Sequence, residues 1–154
     1  MVRAWLLRAW LGYSPVMHFH GYYWRGLWAR RQKEIDDSHP DGPNFAVSDV
    51  PPMRTCHWLR KNPPLHRGTW ETARAGVAWM VRCHDGIADL VVEPSPWRPT
   101  GDLRGATTAA LGAGRDACWN YQLRGGEQVF TAVVCCPNRW EDLGCPLTKH
   151  APAR

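Results

Sequence analysis

The sequence predicts a β-rich α+β fold: a small antiparallel sheet built from two hairpins, 77–93 and 117–136, preceded by an N-terminal amphipathic helix and an aromatic arm. Three observations carry this. Asp85-Gly86 and Gly125-Gly126 are glycine-containing two-residue turn signals, and glycine tolerates the positive φ that tight hairpin turns require. The residues flanking both turns alternate so that apolar side chains share a face. The chain has 154 residues, 44% hydrophobic and 21% charged, which is ordinary for one globular domain with a buried core.

Residues 1–33 form the basic and aromatic N-terminal arm, with no acidic residue before Glu34. In MVRAWLLRAWLGY, helical spacing gathers Val2, Trp5, Leu6, Ala9 and Trp10 on one side, and Ser14-Pro15 ends the helix. His18, His20, Tyr22, Tyr23, Trp24 and Trp28 follow beside Arg25 and Arg30, a mixture of ring and guanidinium that suits an interface. Trp5, Trp10, Trp24, Arg25, Trp28 and Arg30 are therefore the expected partner-binding residues. Arg8 breaks the only apolar run near the start, so a secretory signal is not expected. An Arg-rich, acid-free amphipathic start has the composition of an organellar targeting segment, which points to a mitochondrial location at the membrane periphery. No apolar run reaches the roughly 18 residues needed to cross a bilayer.

Residues 34–67 are a proline-rich linker, in which Glu34, Asp36 and Asp37 can fold back on the basic arm. Residues 68–146 form the β-rich core domain and 147–154 a C-terminal tail. In the first hairpin, a turn at Asp85-Gly86 sets Arg82 opposite Asp89 and Trp79 opposite Val92. A helix over the same stretch would leave Trp79 on the polar side and carry Gly76 internally at a cost of about 1 kcal/mol, so the hairpin is preferred. Between the hairpins, residues 102–111 form one or two helical turns capped by Asp102. In the second hairpin, a turn at Gly125-Gly126 pairs Arg124 with Glu127 and Tyr121 with Phe130. One face then holds Trp119, Tyr121, Leu123, Phe130, Ala132 and Val134.

Six cysteines and seven histidines raise metal and disulfide chemistry. Cys56, His57, Cys83, Cys145 and His150 are the candidate metal ligands, with zinc as the implied ion, although the close Cys or His knuckle usual in zinc sites is absent. His18 and His20 form an H-x-H strand pair that could ligate but reads first as interface aromatics. Cys135 and Cys136, adjacent on a strand, must face opposite sides. The same thiols allow bridges between Cys83 and Cys136 and between Cys118 and Cys135.

The chain contains no GxSxG, P-loop, dinucleotide fingerprint, HExxH or EF-hand loop, so catalysis is not the expected function. Of 19 basic residues, 16 are Arg, and the net charge is +5. The expected role is a non-catalytic accessory subunit of a larger multi-protein assembly that docks through its arm, at a membrane surface or on other subunits. Two further functions fit the same residues. A zinc-stabilised nucleic-acid-binding protein would use the charge, rings and Cys/His pairs together. An extracytoplasmic binding module would use the cysteines as disulfides.

Overall fold

The computed structural model describes residues 16–146. The helix expected near the N-terminus, the anchors Trp5 and Trp10, and His150 lie outside the described residues. The fold is a small α+β arrangement around one four-stranded antiparallel sheet of β1 (His18–Leu27), β2 (His66–Trp70), β3 (Ala117–Gln122) and β4 (Glu127–Cys136). The strand order is β2-β1-β4-β3. Three α-helices accompany it: α1 (Trp28–Lys33), α2 (Ala73–Asp85) and α3 (Gly101–Gly112). No helix among the described residues is long and apolar enough to cross a membrane.

β1 pairs with β4 along its whole length, from His18 opposite Cys136 to Leu27 opposite Glu127. The second half of the expected arm is thus a central strand rather than a docking appendage. Trp24 is 3% exposed and packs edge-on to Phe130, while Arg25 is held by Glu127 at 2.6 Å. Arg30 bridges its i,i+4 neighbour Glu34 and Asp49, so the linker folds back on the basic stretch through Asp49 rather than through Asp36 or Asp37. Of the described anchors, Trp28 alone is an exposed ring, at 45%.

Period-two alternation along β1 and β4 gives the sheet two buried faces. Odd-numbered residues, including Phe19, Val129, Val133 and Cys135, pack with Val77 and Met80 of α2 and Leu111 of α3. Even-numbered residues, including Tyr22, Trp24, Ala132 and Val134, pack with Trp58 and Leu59 of a 3-10 turn (Thr55–Arg60). The proline-rich stretch 34–67 is therefore a packed cover over the second face, with Phe45 and Val50 also buried.

The 117–136 hairpin exists, but its register differs by one residue from the expected one. Tyr121 faces Val129 and Asn120 faces Phe130. Both Gly125 (φ 89°) and Gly126 (φ 81°) are left-handed, and Leu123 N–H donates to Glu127 O at 2.8 Å, so Arg124 joins the loop as a third residue. A one-residue slip transfers every β4 side chain to the other face relative to β3. Cys118 then packs towards the Trp58 side while Cys135 packs against the helices, which separates that proposed bridge.

The 77–93 hairpin is replaced by α2. Thr72 caps it by accepting from Ala75 N–H, and Ala73, Gly76, Val77 and Met80 recur on one face. The two objections to a helix dissolve in the tertiary structure. Gly76 lies close under β4, where an added Cβ would sit 3.3 Å from a Val133 methyl carbon. Trp79 is not stranded, because its ring packs on Trp70 of β2 with centroids 5.0 Å apart. Gly86 ends the helix with an ordinary φ of −68° instead of forming a hairpin turn. α3 is longer than expected and is capped by Thr100, not Asp102.

The Trp70–Trp79 pair covers Gly21, where a Cβ would fall 2.6 Å from the Trp70 ring and 2.9 Å from Trp79. Gly21→Ala should lower stability by about 1–3 kcal/mol through overpacking. Gly105→Ala, on exposed α3 with nothing within 4 Å, should raise it by about 0.5–1 kcal/mol. Urea unfolding of the two variants checks both signs.

Candidate metal centre

His18 and His20 alternate onto the even face of β1, and His18 stands directly opposite Cys136 at the end of β4. The segment after β4 turns back to bring Cys145 over them. His18 Nε2 lies 3.3 Å from Cys145 Sγ, and His20 Nε2 lies 3.5 Å from the same sulfur. The ligand-type atoms of His18, His20, Cys136 and Cys145 all fall within 4.8 Å of one another. Zinc bonds of about 2.0–2.1 Å to nitrogen and 2.3 Å to sulfur give tetrahedral edges of roughly 3.3–3.8 Å. The two His–Cys145 separations fall in that range.

The hydrogen-bond partners of both imidazoles are compatible with the tautomers that ligation needs. His18 Nδ1 lies 3.2 Å from the carbonyl of Val16, which can only accept, so Nδ1 holds the proton and Nε2 presents its lone pair. His20 Nδ1 lies 2.9 Å from Thr69 Oγ1 and 3.2 Å from His66 Nε2, and Thr69 Oγ1 lies 2.9 Å from His66 Nε2. With the His20 proton on Nδ1, donated to Thr69, this triad leaves Nε2 to coordinate. Burial pushes His20 down to about 3, helped by His18 and His66, so its ring is neutral. Burial and the neighbouring Cys145 push the Cys136 thiol up to about 12. Two thiolates here need a nearby positive charge, and a divalent cation would make the four-residue set neutral. Tyr22, stacked on Trp58 at 5.2 Å, walls the site with apolar surface.

Two polar anchors hold the returning segment. Asp116 accepts from Cys135 N–H at 2.9 Å and from Asn138 Nδ2 at 2.9 Å, fixing the turn just after Cys136. Glu141, 7% exposed, meets His57 Nε2 at 2.9 Å and Arg60 at 2.6 Å. Burial opposes its charge, but Arg60 and His57 outweigh that and hold Glu141 below the usual carboxylate range. Cys56, His57 and Glu141 could themselves surround an ion. Glu141 is already paired on both oxygens, Oε2 with Arg60 and Oε1 with His57, so a cation there would have to break the His57–Glu141 contact.

Of the expected ligands, Cys145 enters the four-residue cluster, Cys56 and His57 join the Glu141 anchor, and Cys83 lies apart on α2 against the opposite face. Cys136 and Cys83 are thus on different sides of the sheet, and Cys83, Cys118, Cys135 and Cys136 all carry free thiols, so neither proposed bridge is formed. His18 and His20 were visible as an H-x-H pair. Their convergence with Cys136 depends on strand pairing across more than a hundred residues, for which the local spacing gave no signal.

No family model, curated protein or solved structure matches the chain. The chemistry of the site therefore rests on its own geometry.

Removing Glu141 should loosen the segment that delivers Cys145. Glu141→Ala is expected to cost about 1–3 kcal/mol by leaving buried partners unpaired. Arg60→Ala should cost less, since that side chain is 41% exposed. Urea unfolding of both variants measures the difference, and equal costs would contradict the anchor.

Proposed function

We propose that the chain is a zinc-stabilised, non-catalytic recognition domain that serves as an accessory subunit of a larger assembly. The observation that supports this most strongly is the convergence of two imidazoles and two cysteines whose ligand-type atoms all lie within 4.8 Å of one another, with both imidazoles 3.3–3.5 Å from Cys145 Sγ. A Cys2His2 set suits zinc by ligand softness and geometry. Four protein ligands fill a tetrahedral ion's coordination, leaving no open position for water or substrate, which favours a structural ion over a catalytic one.

The role of such an ion follows from what the ligands connect. His18 and His20 belong to the central strand, Cys136 ends its neighbour, and Cys145 belongs to the returning segment. Coordination would clamp that segment onto the sheet and cover the Tyr22–Trp58 face. Exposed Leu27 (52%), Trp28 (45%) and Trp140 (61%) remain as apolar surface that suits a protein partner.

Metal analysis of the purified chain should give about one zinc per molecule. His20→Ala and Cys136→Ser should each reduce that content by more than half, and chelation of the wild type should lower its melting temperature. Wild-type protein that carries no zinc after refolding with zinc, and melts identically with and without chelator, would overturn the proposal.

A further inference from the structure

On the opposite side of the sheet from the Cys/His cluster, an open concavity of about 460 Å³ lies between β1, β2 and the C-terminal half of α2. Three guanidiniums line it: Arg25 from β1, Arg67 from β2 and Arg82 from α2. No acidic side chain lines it. Arg25 is committed to Glu127, with Nε at 3.2 Å and Nη2 at 2.6 Å from its two carboxylate oxygens. Arg67 and Arg82 have no ion-pair partner among the described residues. Half-buried Tyr23 and Trp79 line the same concavity and set aromatic surface beside the unpaired charges.

Arg67 reaches this side because of a backbone irregularity. In the β1–β2 ladder Gly21 faces Gly68 but Tyr22 faces His66, so Arg67 is the extra residue of a β-bulge. The bulge keeps His66 beside Thr69 and His20 on the metal-centre face while Arg67 is turned to the α2 side. One irregularity thus serves two faces at once. Bulges of this kind re-aim a side chain without breaking the flanking ladder. The remaining chemistry-bearing group, Cys83, is pushed up to about 11 by burial, so it stays a thiol and the concavity is suited to binding rather than covalent attack.

Planar guanidiniums recognise phosphate by paired N–H donors, and aromatic side chains accept a base against their rings. We propose that this concavity binds a phosphorylated nucleoside, either free or as one unit of a single-stranded nucleic acid, with Arg67 and Arg82 on the phosphate and Tyr23 and Trp79 against the base. The volume suits one such unit. This deepens the recognition role proposed above by naming a ligand class, and it does not require the metal.

The test uses the full chain at low salt and measures anisotropy of a labelled oligothymidylate and, separately, of a labelled AMP, each with unlabelled AMP and inorganic phosphate as competitors. Wild-type protein should bind the oligonucleotide, or bind AMP more tightly than phosphate; the first identifies a strand and the second a free nucleotide. Arg67→Ala/Arg82→Ala should weaken binding at least tenfold and lower the slope of log affinity against log salt by about 1.4, two single-strand phosphates' worth. Arg98→Ala/Arg115→Ala removes equal charge elsewhere and should leave binding unchanged. Zinc content measured on every variant separates this outcome from that of the metal centre. No binding of either ligand by zinc-replete wild type, or equal losses in the two double variants, would overturn the inference.

Discussion

The ten-residue ladder between β1 and β4 is the constraint on which the rest of the molecule depends. It joins a strand near the N-terminus to one near the C-terminus, so it forms only when most of the chain is in place. Its register does two things together. It sends Phe19 and Val133 to the helices and Tyr22 and Val134 to the proline-rich cover, and it sets His18 opposite Cys136. A slip of one residue would exchange both cores and separate the histidines from the cysteine.

A strand buried on both faces needs a cover on each. α2 and α3 supply one, with Gly76 allowing α2 to approach β4 closely. The other is irregular: a loop with three short 3-10 turns, whose backbone groups need their own partners. Lys61 meets that need with an ammonium that donates to the carbonyls of Asp37, Phe45 and Ser48 at 2.7–3.2 Å and lies over the Phe45 ring. Burial pulls that ammonium down to about 8, against the opposing pull of Asp37 and Asp49. The Glu141 anchor closes the same cover from the C-terminal side. An ion between His18, His20, Cys136 and Cys145, as proposed, would complete this sequence of polar clasps.

Local chemistry made part of this legible. The 117–136 hairpin could be read from its alternation and double glycine, and the opposite orientations of Cys135 and Cys136 from strand geometry alone. The register was not legible, because Arg124 can belong to strand or loop and only packing decides. α2 was misread because Trp79 and Gly76 look wrong on an isolated helix. Both are right once Trp70 and Val133 lie beside them, so tertiary contacts overrode the local preference. The metal-type cluster draws its H-x-H pair, Cys136 and Cys145 from three separate places along the chain. Only the β1–β4 register brings them together.

The two faces of the β2 bulge show how one backbone feature can support structure and recognition. His66 steadies His20 through Thr69 on one side, while Arg67 adds charge to an aromatic concavity on the other. The central claim is that two imidazoles of β1 and two thiolates hold one ion across the sheet's C-terminal closure. X-ray absorption at the zinc edge of the purified protein tests it most directly. The account expects a four-coordinate shell with two sulfurs at about 2.3 Å and two imidazole nitrogens at about 2.0–2.1 Å. A shell of oxygen and nitrogen without sulfur, or one with more than two sulfurs, would contradict it.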